Sequence, residues 1–433
     1  LDSSRTTSHL ATLPNGLRVV TLTMPWRQTT SLSVFIRTGG LHESRRLSGI
    51  SHVVEHMAFK GTATRDCQRI NLDAERLGAE VNAHTDKDHT AFHIEGLPGD
   101  LGTFVPLLAD IVLHSTFPAD ELERERQVIL HELTEVEEDP AAVAFQLFDR
   151  AAYGMSHPAG QPVIGRRANI ERFSRDELLA YVGRQYSAAN VVVAAAGPID
   201  DPAPFVRAVE AAFGTMPGGS ANTVQPAAWV GGLKVRRMAG CSQCHAVLGY
   251  ETPLLADEHH VAHVLAAALL GEGMSSPLLD QIRERRGLAY FVGCSADVLP
   301  FTGQFIIDAA TAPEQAEELF VEVARLLRQH ADEPIDPVGL ERARRQLTVR
   351  ALRALEQPSR RLEVAAQDLF TLGRLRDPQD GLRRLEAVTA AEVQAVFRQL
   401  LDSPAAVALA GRVPARARER AQALFVDRVD TPA

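Results

Sequence analysis

Apolar side chains at Ile50, Val53, Val54 and Met57 repeat at three- and four-residue intervals, which predicts a helix with one buried face. The other face carries His52, Glu55, His56 and Phe59. Ser48 is placed to cap this helix and Gly61 to end it. A second helix is predicted from Asp120, where Asp120 and Glu123 make a capping-box-like pair. Glu125 and Glu132 fall on one face of it, two turns apart. Alternation in HTAFHIEG reads as a strand, and the DKD turn before it suggests a hairpin.

The same patterns recur at long period, the mark of a duplicated unit. LERERQ at 122–127 returns as LERARRQ at 340–346. The stretch 174–199, a helix followed by an apolar strand, returns at 389–413. Each half also begins with strands, GLRVVTLTM and SLSVFIRTG in the first, GLKVRRM and CHAVLGY in the second. At 433 residues the chain is too long for one ordinary core. The expected division is residues 1–215, a Gly- and Pro-rich linker at 216–232, and residues 233–433.

The duplication tests which polar residues the packing needs. Aligning Gly61 with Gly271 sets Ala262, Leu265 and Ala266 against His52, Glu55 and His56. Aligning Leu122 with Leu340 sets Ala343 and Arg350 against Glu125 and Glu132. The second half thus keeps the pattern and loses these five groups, which places the chemistry in the first half.

The chemistry follows from spacing. His52 and His56 project one turn apart from one helix face. Two imidazoles and the later carboxylate of Glu132 make a three-ligand zinc set with an open position for water. Glu55 is placed to take a proton from that water, and Glu125 to orient a ligand or the water from behind. H-x-x-E-H is the inverzincin order. The alternative for the second helix is a charged, solvated face, because Glu121, Glu123, Glu135, Glu137 and Glu138 crowd the same stretch.

Composition narrows the classes. Hydrophobic residues are 45% and charged residues 23%, as in a soluble globular protein. The net charge is −10 and basic residues form only short Arg pairs, so nucleic acid is not an expected partner. No apolar run reaches the length of a membrane span. Four cysteines, Cys67, Cys241, Cys244 and Cys294, are too few for a disulfide scaffold. CSQCH at 241–245 matches a haem-attachment pattern but lies in a strand-like run, so haem is not expected; a labile disulfide or an incidental metal at Cys241 and Cys244 stays open. His259, His260 and His263 read as a helix start near the surface. With few cysteines and no visible signal peptide, the expectation is a cytoplasmic protein, with the periplasm as the alternative.

The segments LPNGLRVV, HVVEHMAFKGT, GAEVNAHTDKDHTAFH, ERERQVILHE, HPAGQPVIG and GEGMSSPLLDQIRERRGLAYFVG run in one order along nearly the whole chain. In them the chain resembles the pitrilysin/insulinase family of zinc metallopeptidases, in the branch of small two-domain subunits related to mitochondrial processing peptidase. The resemblance implies an α+β fold of two homologous domains, each a mostly antiparallel sheet flanked by helices. It implies one Zn2+ per chain on His52, His56 and Glu132, Glu55 as general base, and Glu125 in support. It implies that Asn82, Ala83, His84 and Thr85 form a sheet edge that binds an extended peptide by strand addition. His84 departs from the small or aromatic residue expected there and is read as touching the site, whereas His89 and His93 are read as ordinary hairpin residues.

The resemblance further implies that Arg283 and Tyr290 bind substrate backbone and help stabilise the tetrahedral intermediate. On the residues alone, Arg283, Arg285 and Arg286 could be a surface basic patch beside a core tyrosine. Pro277 stands where relatives usually carry Arg, a local departure. Relatives enclose peptides between four domains, which implies a homodimer here, with a heterodimer of related subunits as the alternative. The implied activity is endopeptidase cleavage of peptides or unfolded segments inside a closed chamber. The alternatives are a dedicated peptide-maturation protease and a non-catalytic subunit.

Overall fold

A computed structural model describes residues 7–427. Eleven strands are present among the described residues: β1 (Ser8–Thr12), β2 (Arg18–Thr23), β3 (Thr30–Ile36), β4 (Glu80–Thr85), β5 (Thr90–Gly96), β6 (Val191–Gly197), β7 (Gly232–Arg237), β8 (Cys244–Glu251), β9 (Phe291–Val298), β10 (Gly303–Thr311) and β11 (Ala406–Gly411). The helices of the first half are α1 (Ile50–Ala58), α2 (Cys67–Glu75), α3 (Leu101–His114), α4 (Ala119–Glu138), α5 (Pro140–Tyr153), α6 (Arg167–Ile170), α7 (Arg175–Gln185) and α8 (Ala203–Phe213). Those of the second are α9 (His260–Gly271), α10 (Ala316–Asp332), α11 (Pro337–Glu356), α12 (Pro358–Leu372), α13 (Pro378–Ala387), α14 (Ala390–Asp402) and α15 (Ala415–Ala421).

The strands form two sheets, β1-β2-β6-β3-β5-β4 and β7-β11-β8-β10-β9. All neighbours are antiparallel except β2 with β6 and β7 with β11. The fold is therefore α+β with two similar sheets, as expected. The duplication is visible in the ends of each half. Ser174 caps α7 and Thr389 caps α14, each in a reciprocal pair with a glutamate three residues on, Glu177 and Glu392. Each helix leads to a central, fully buried apolar strand, β6 and β11.

Two compact units result, and they do not follow chain order. One comprises the chain through Leu133, Pro162–Val224 and Ala354–Arg376; the other comprises Thr134–Gln161, Gln225–Arg353 and the chain from Asp377. The expected division at 215 and 233 is thus modified by an exchange, in which α5 belongs with the second sheet and α12 with the first. Both sheets are buried on two faces, and each needs a helix to cover the second face. In the first unit Val191, Val193 and Ala195 join the core with α1 and α3, while Val192, Ala194 and Ala196 meet Leu362, Ala365, Ala366 and Leu369 of α12. In the second, Phe148 of α5 lies over Gly249 of β8, where a Cβ would come within 2.6 Å of the ring.

Candidate metal centre and active site

The first unit brings α1 and α4 together. α1 carries Ile50, Val53, Val54 and Met57 into the core and turns His52, Glu55 and His56 away from it. Its N-terminus is not capped by Ser48. The cap is Gly49, at φ 98°, and the Glu43 carboxylate receives the N–H groups of Gly49 (2.7 Å) and Ser51 (2.8 Å). The site chosen from sequence was one residue early because the capping oxygen comes from the preceding loop. The close approach at Gly49 explains the glycine, since a Cβ there would lie 2.6 Å from the Gly165 Cα. The helix ends at Ala58, before Gly61. α4 begins at Ala119, so Asp120 lies inside its first turn and is not the cap.

His52 Nε2 and His56 Nε2 are 3.2 Å apart, and Glu132 Oε2 lies 3.8 Å from the first and 3.6 Å from the second. These are the ligand atoms of a metal-capable group, all within 4.8 Å of one another. His56 Nδ1 is 3.1 Å from Glu125 Oε2. A carboxylate only accepts, so Nδ1 carries the proton and Nε2 presents its lone pair to the centre. Glu125 is itself held by Lys60, Nζ to Oε1 at 2.6 Å. Burial and the neighbouring His56 push His52 down to about 4, which leaves it neutral and able to donate its lone pair at neutral pH. Its Nδ1 is buried with no hydrogen-bond partner among the described residues. Two imidazole nitrogens and a carboxylate oxygen facing one point fit Zn2+.

Glu55 accepts a 2.6 Å hydrogen bond from Thr85 Oγ1. Burial raises its carboxyl above the ordinary range, against the opposing pull of the Thr85 hydroxyl and the His56 charge. A carboxyl raised in this way binds a proton more readily than an exposed one.

Thr85 ends β4, the edge strand of its sheet, as the hairpin reading required. Val81 and Ala83 pack toward the core on the α1 side. Alternation turns His84 the other way, so His84 does not reach the α1 histidines; its ring lies 5.4 Å from that of His89 and 5.7 Å from that of His93. Asn82 spends its side-chain oxygen on the Ala83 N–H (2.8 Å). Lys60 was missed in the sequence, although it continues the 52–56 stripe by one more turn.

Arg283 and Tyr290 belong to the second unit. Arg283 sits in a π-helical turn, Leu279–Arg285, next to Glu284 at 3.6 Å. Tyr290 is 81% exposed, which excludes the core-tyrosine alternative. Of the other basic residues, Arg285 pairs with Asp280, and Arg286 with Glu318 and Glu322. In this unit Leu265, Ala266 and Ala343 are buried, and Arg350 pairs with Glu272 at 3.0 Å. Cys244 is buried and all four cysteines are free. Among the described residues no helix is long and apolar enough to cross a membrane.

This arrangement, two helices presenting a His/His/Glu set beside a half-buried glutamate in one of two duplicated α+β units, fits a zinc peptidase class, and the sequence comparisons agree. Residues 18–166 match the description Insulinase (Peptidase family M16), and residues 172–347 match Peptidase M16 inactive domain. The chain belongs to peptidase family M16. It is 34% identical over 407 residues to a protein of Mycobacterium tuberculosis named an uncharacterized zinc protease, with 92% of each chain covered. It is 29% identical over 398 residues to one so named in Bacillus subtilis, covering 92% of this chain and 97% of that one. Among solved structures, a protease from Helicobacter pylori superposes with a TM-score of 0.85 at 22% identity, covering 93% of this chain and 99% of that one. A chain from Complex III2 of Candida albicans does so with a TM-score of 0.82 at 17% identity, covering 95% and 99%. These two likenesses establish the fold.

Proposed function

We propose that the chain is a zinc-dependent endopeptidase whose reaction centre lies on α1 and α4. The observation that carries this reading is the convergence of His52 Nε2, His56 Nε2 and Glu132 Oε2 on one point, on the helix face that also presents Glu55. A zinc ion held by these three residues supplies Lewis-acid chemistry at a water and a peptide carbonyl. Glu55 takes the proton of the attacking water and passes it to the leaving amine, as its raised carboxyl suits. Thr85 holds the Glu55 carboxylate in position. An extended peptide pairs with β4 through main-chain bonds, so that Asn82 to Thr85 bind backbone and tolerate varied sequences. Arg283 and Tyr290 are exposed; supplied by a second copy of the chain, which completes the chamber as a homodimer, this pair assists the developing oxyanion in trans.

The test is cleavage of a quenched fluorescent peptide library by the wild type, Glu55→Gln and Glu132→Gln, with zinc measured in each. Glu55→Gln should keep its zinc and lose nearly all turnover, and Glu132→Gln should lose zinc from this centre. Full metal retention in Glu132→Gln would sink the ligand assignment. A zinc-loaded wild type that cuts nothing would make the chain a non-catalytic subunit, or one that needs a different partner.

A further inference from the structure

The first unit holds a second convergence of ligand atoms, on the opposite face of the sheet from Glu55. His84 on β4, Asp86 and His89 around the hairpin turn, and Glu363 on α12 each offer one donor atom, and the four lie within 4.8 Å of one another. The strand pairing explains the assembly. His84 is in register with Ala91, and Ala91 belongs to the apolar cluster that α12 covers. The face of β4 that carries His84 therefore looks toward α12, and Glu363 enters from there. The turn is closed by the Asp86 N–H to the His89 carbonyl at 2.8 Å, which draws Asp86 and His89 together.

The two imidazoles face each other edge to face, with His84 Nε2 and His89 Nε2 3.4 Å apart. His89 is buried, and its Nδ1 lies 2.8 Å from Asp88 Oδ1. That carboxylate accepts the Nδ1 proton, so His89 Nε2 turns its lone pair to the cluster. A metal-ligating histidine is commonly oriented by such a carboxylate. Glu363 also pairs with Arg360, Nη1 to Oε2 at 3.0 Å, on the exposed side of α12. A cation bound there would take one lone pair from each imidazole, the carboxylates of Asp86 and Glu363 would balance a divalent charge, and the mixed nitrogen and oxygen set suits a transition cation of the zinc class over calcium or magnesium.

We propose that His84, Asp86, His89 and Glu363 form a second divalent-cation site. Its role is structural: the cation ties the β4–β5 hairpin to α12. Because Thr85 follows His84, the tie also steadies the strand end whose hydroxyl holds Glu55. The cation site stands on its own geometry, and only this last consequence rests on the peptidase reading.

The experiment is metal counting on the full chain. Wild type, His56→Ala, a His84→Ala/His89→Ala double variant and the combination of all three are stripped, loaded with Zn2+ or Co2+, desalted and analysed for metal and for the Co2+ ligand-field spectrum. The expected result is two equivalents in the wild type, one in each set alone and none in the combination. The cobalt spectrum of the His56→Ala protein should be lost when His84 and His89 are removed as well. Glu363→Gln, a near-isosteric change on α12 outside the hairpin, should weaken this site alone and guards against misfolding of the double variant. Equal metal in His56→Ala with and without His84 and His89 would overturn the proposal. Loss of the first equivalent is read in His56→Ala by itself, so failure of either site is seen separately.

Discussion

Removing the Glu125 carboxylate should weaken zinc binding while leaving every proposed ligand in place. Glu125 is nearly buried, with 10% of its side chain exposed, and meets His56 Nδ1 at 3.1 Å and Lys60 Nζ at 2.6 Å. Its loss would free the His56 ring to rotate or change tautomer and would leave the Lys60 cation, itself only 24% exposed, facing the site unpaired. Partners of this kind are worth about 10–100-fold in metal affinity, which is about 1.4–2.7 kcal/mol. Glu125→Ala should fall at the upper end. Glu125→Gln should fall at the lower end, because its amide oxygen can still accept from His56 Nδ1 while its NH2 cannot pair with Lys60. The assay is zinc competition against a chromophoric chelator at fixed pH, with thermal melts to check that both variants fold. A folded Glu125→Ala protein whose zinc Kd stays within about twofold of wild type would refute the argument that this carboxylate fixes His56.

Two further predictions concern how α1 is held. Gly49→Ala should lower stability by more than about 2 kcal/mol and weaken zinc binding, read as Tm and Kd, because a side chain at φ 98° would also drive its methyl into the Gly165 backbone; an unchanged Tm would contradict it. Glu43, buried and pushed up from 4.5 to about 7 by desolvation, binds its proton more tightly in the folded chain than in the unfolded one. Its contribution to stability is therefore fully present below pH 4.5 and declines as the pH rises to about 7, a loss of about 3 kcal/mol at about 1.36 kcal/mol per pH unit. Urea melts at low and high pH should show Glu43→Gln free of this decline, and parallel profiles for the two proteins would rule it out.

What the sequence revealed of the site, and what it hid, divides along physical lines. His52, Glu55 and His56 were legible because helical period fixes which side chains share a face, whatever lies around them. Glu125 and Glu132 were legible for the same reason, two turns apart on α4. Lys60 lay within reach of that logic and needed only one more turn of the stripe. The cap on α1 was not legible: Glu43 approaches from a loop, and no local spacing announces it. His84 is turned away by one position of alternation, and its neighbour Thr85 is the residue whose side chain bonds Glu55. The exchange of α5 and α12 was hidden more deeply. Both are helices with an apolar face, and both sheets present small residues to receive one, such as Ala194 and Ala196 in β6 and Ala408 and Ala410 in β11. Pattern states that a helix is buried and leaves open which sheet buries it.

The duplication turns this into an argument about the chemistry. α4 and α11 have the same length, 20 residues, and the alignment through Leu122 and Leu340 carries one onto the other from end to end. The second unit shows what the helix pair needs for packing alone: Leu265, Ala266 and Ala343 are buried, and Arg350 is tied to Glu272 on the surface. The first unit sets imidazoles and carboxylates at the matching positions and desolvates them, which drives His52 down to about 4 and Glu55 upward. Desolvated polar groups cost folding free energy unless partners offset it. Glu125 and Thr85 offset part of that cost, for His56 and Glu55. His52 Nδ1, buried with no partner among the described residues, shows that part of it remains. A polar set that its own duplicate folds without, held at a cost to stability, is not explained by packing, and this is why the proposed reaction is assigned to the first unit.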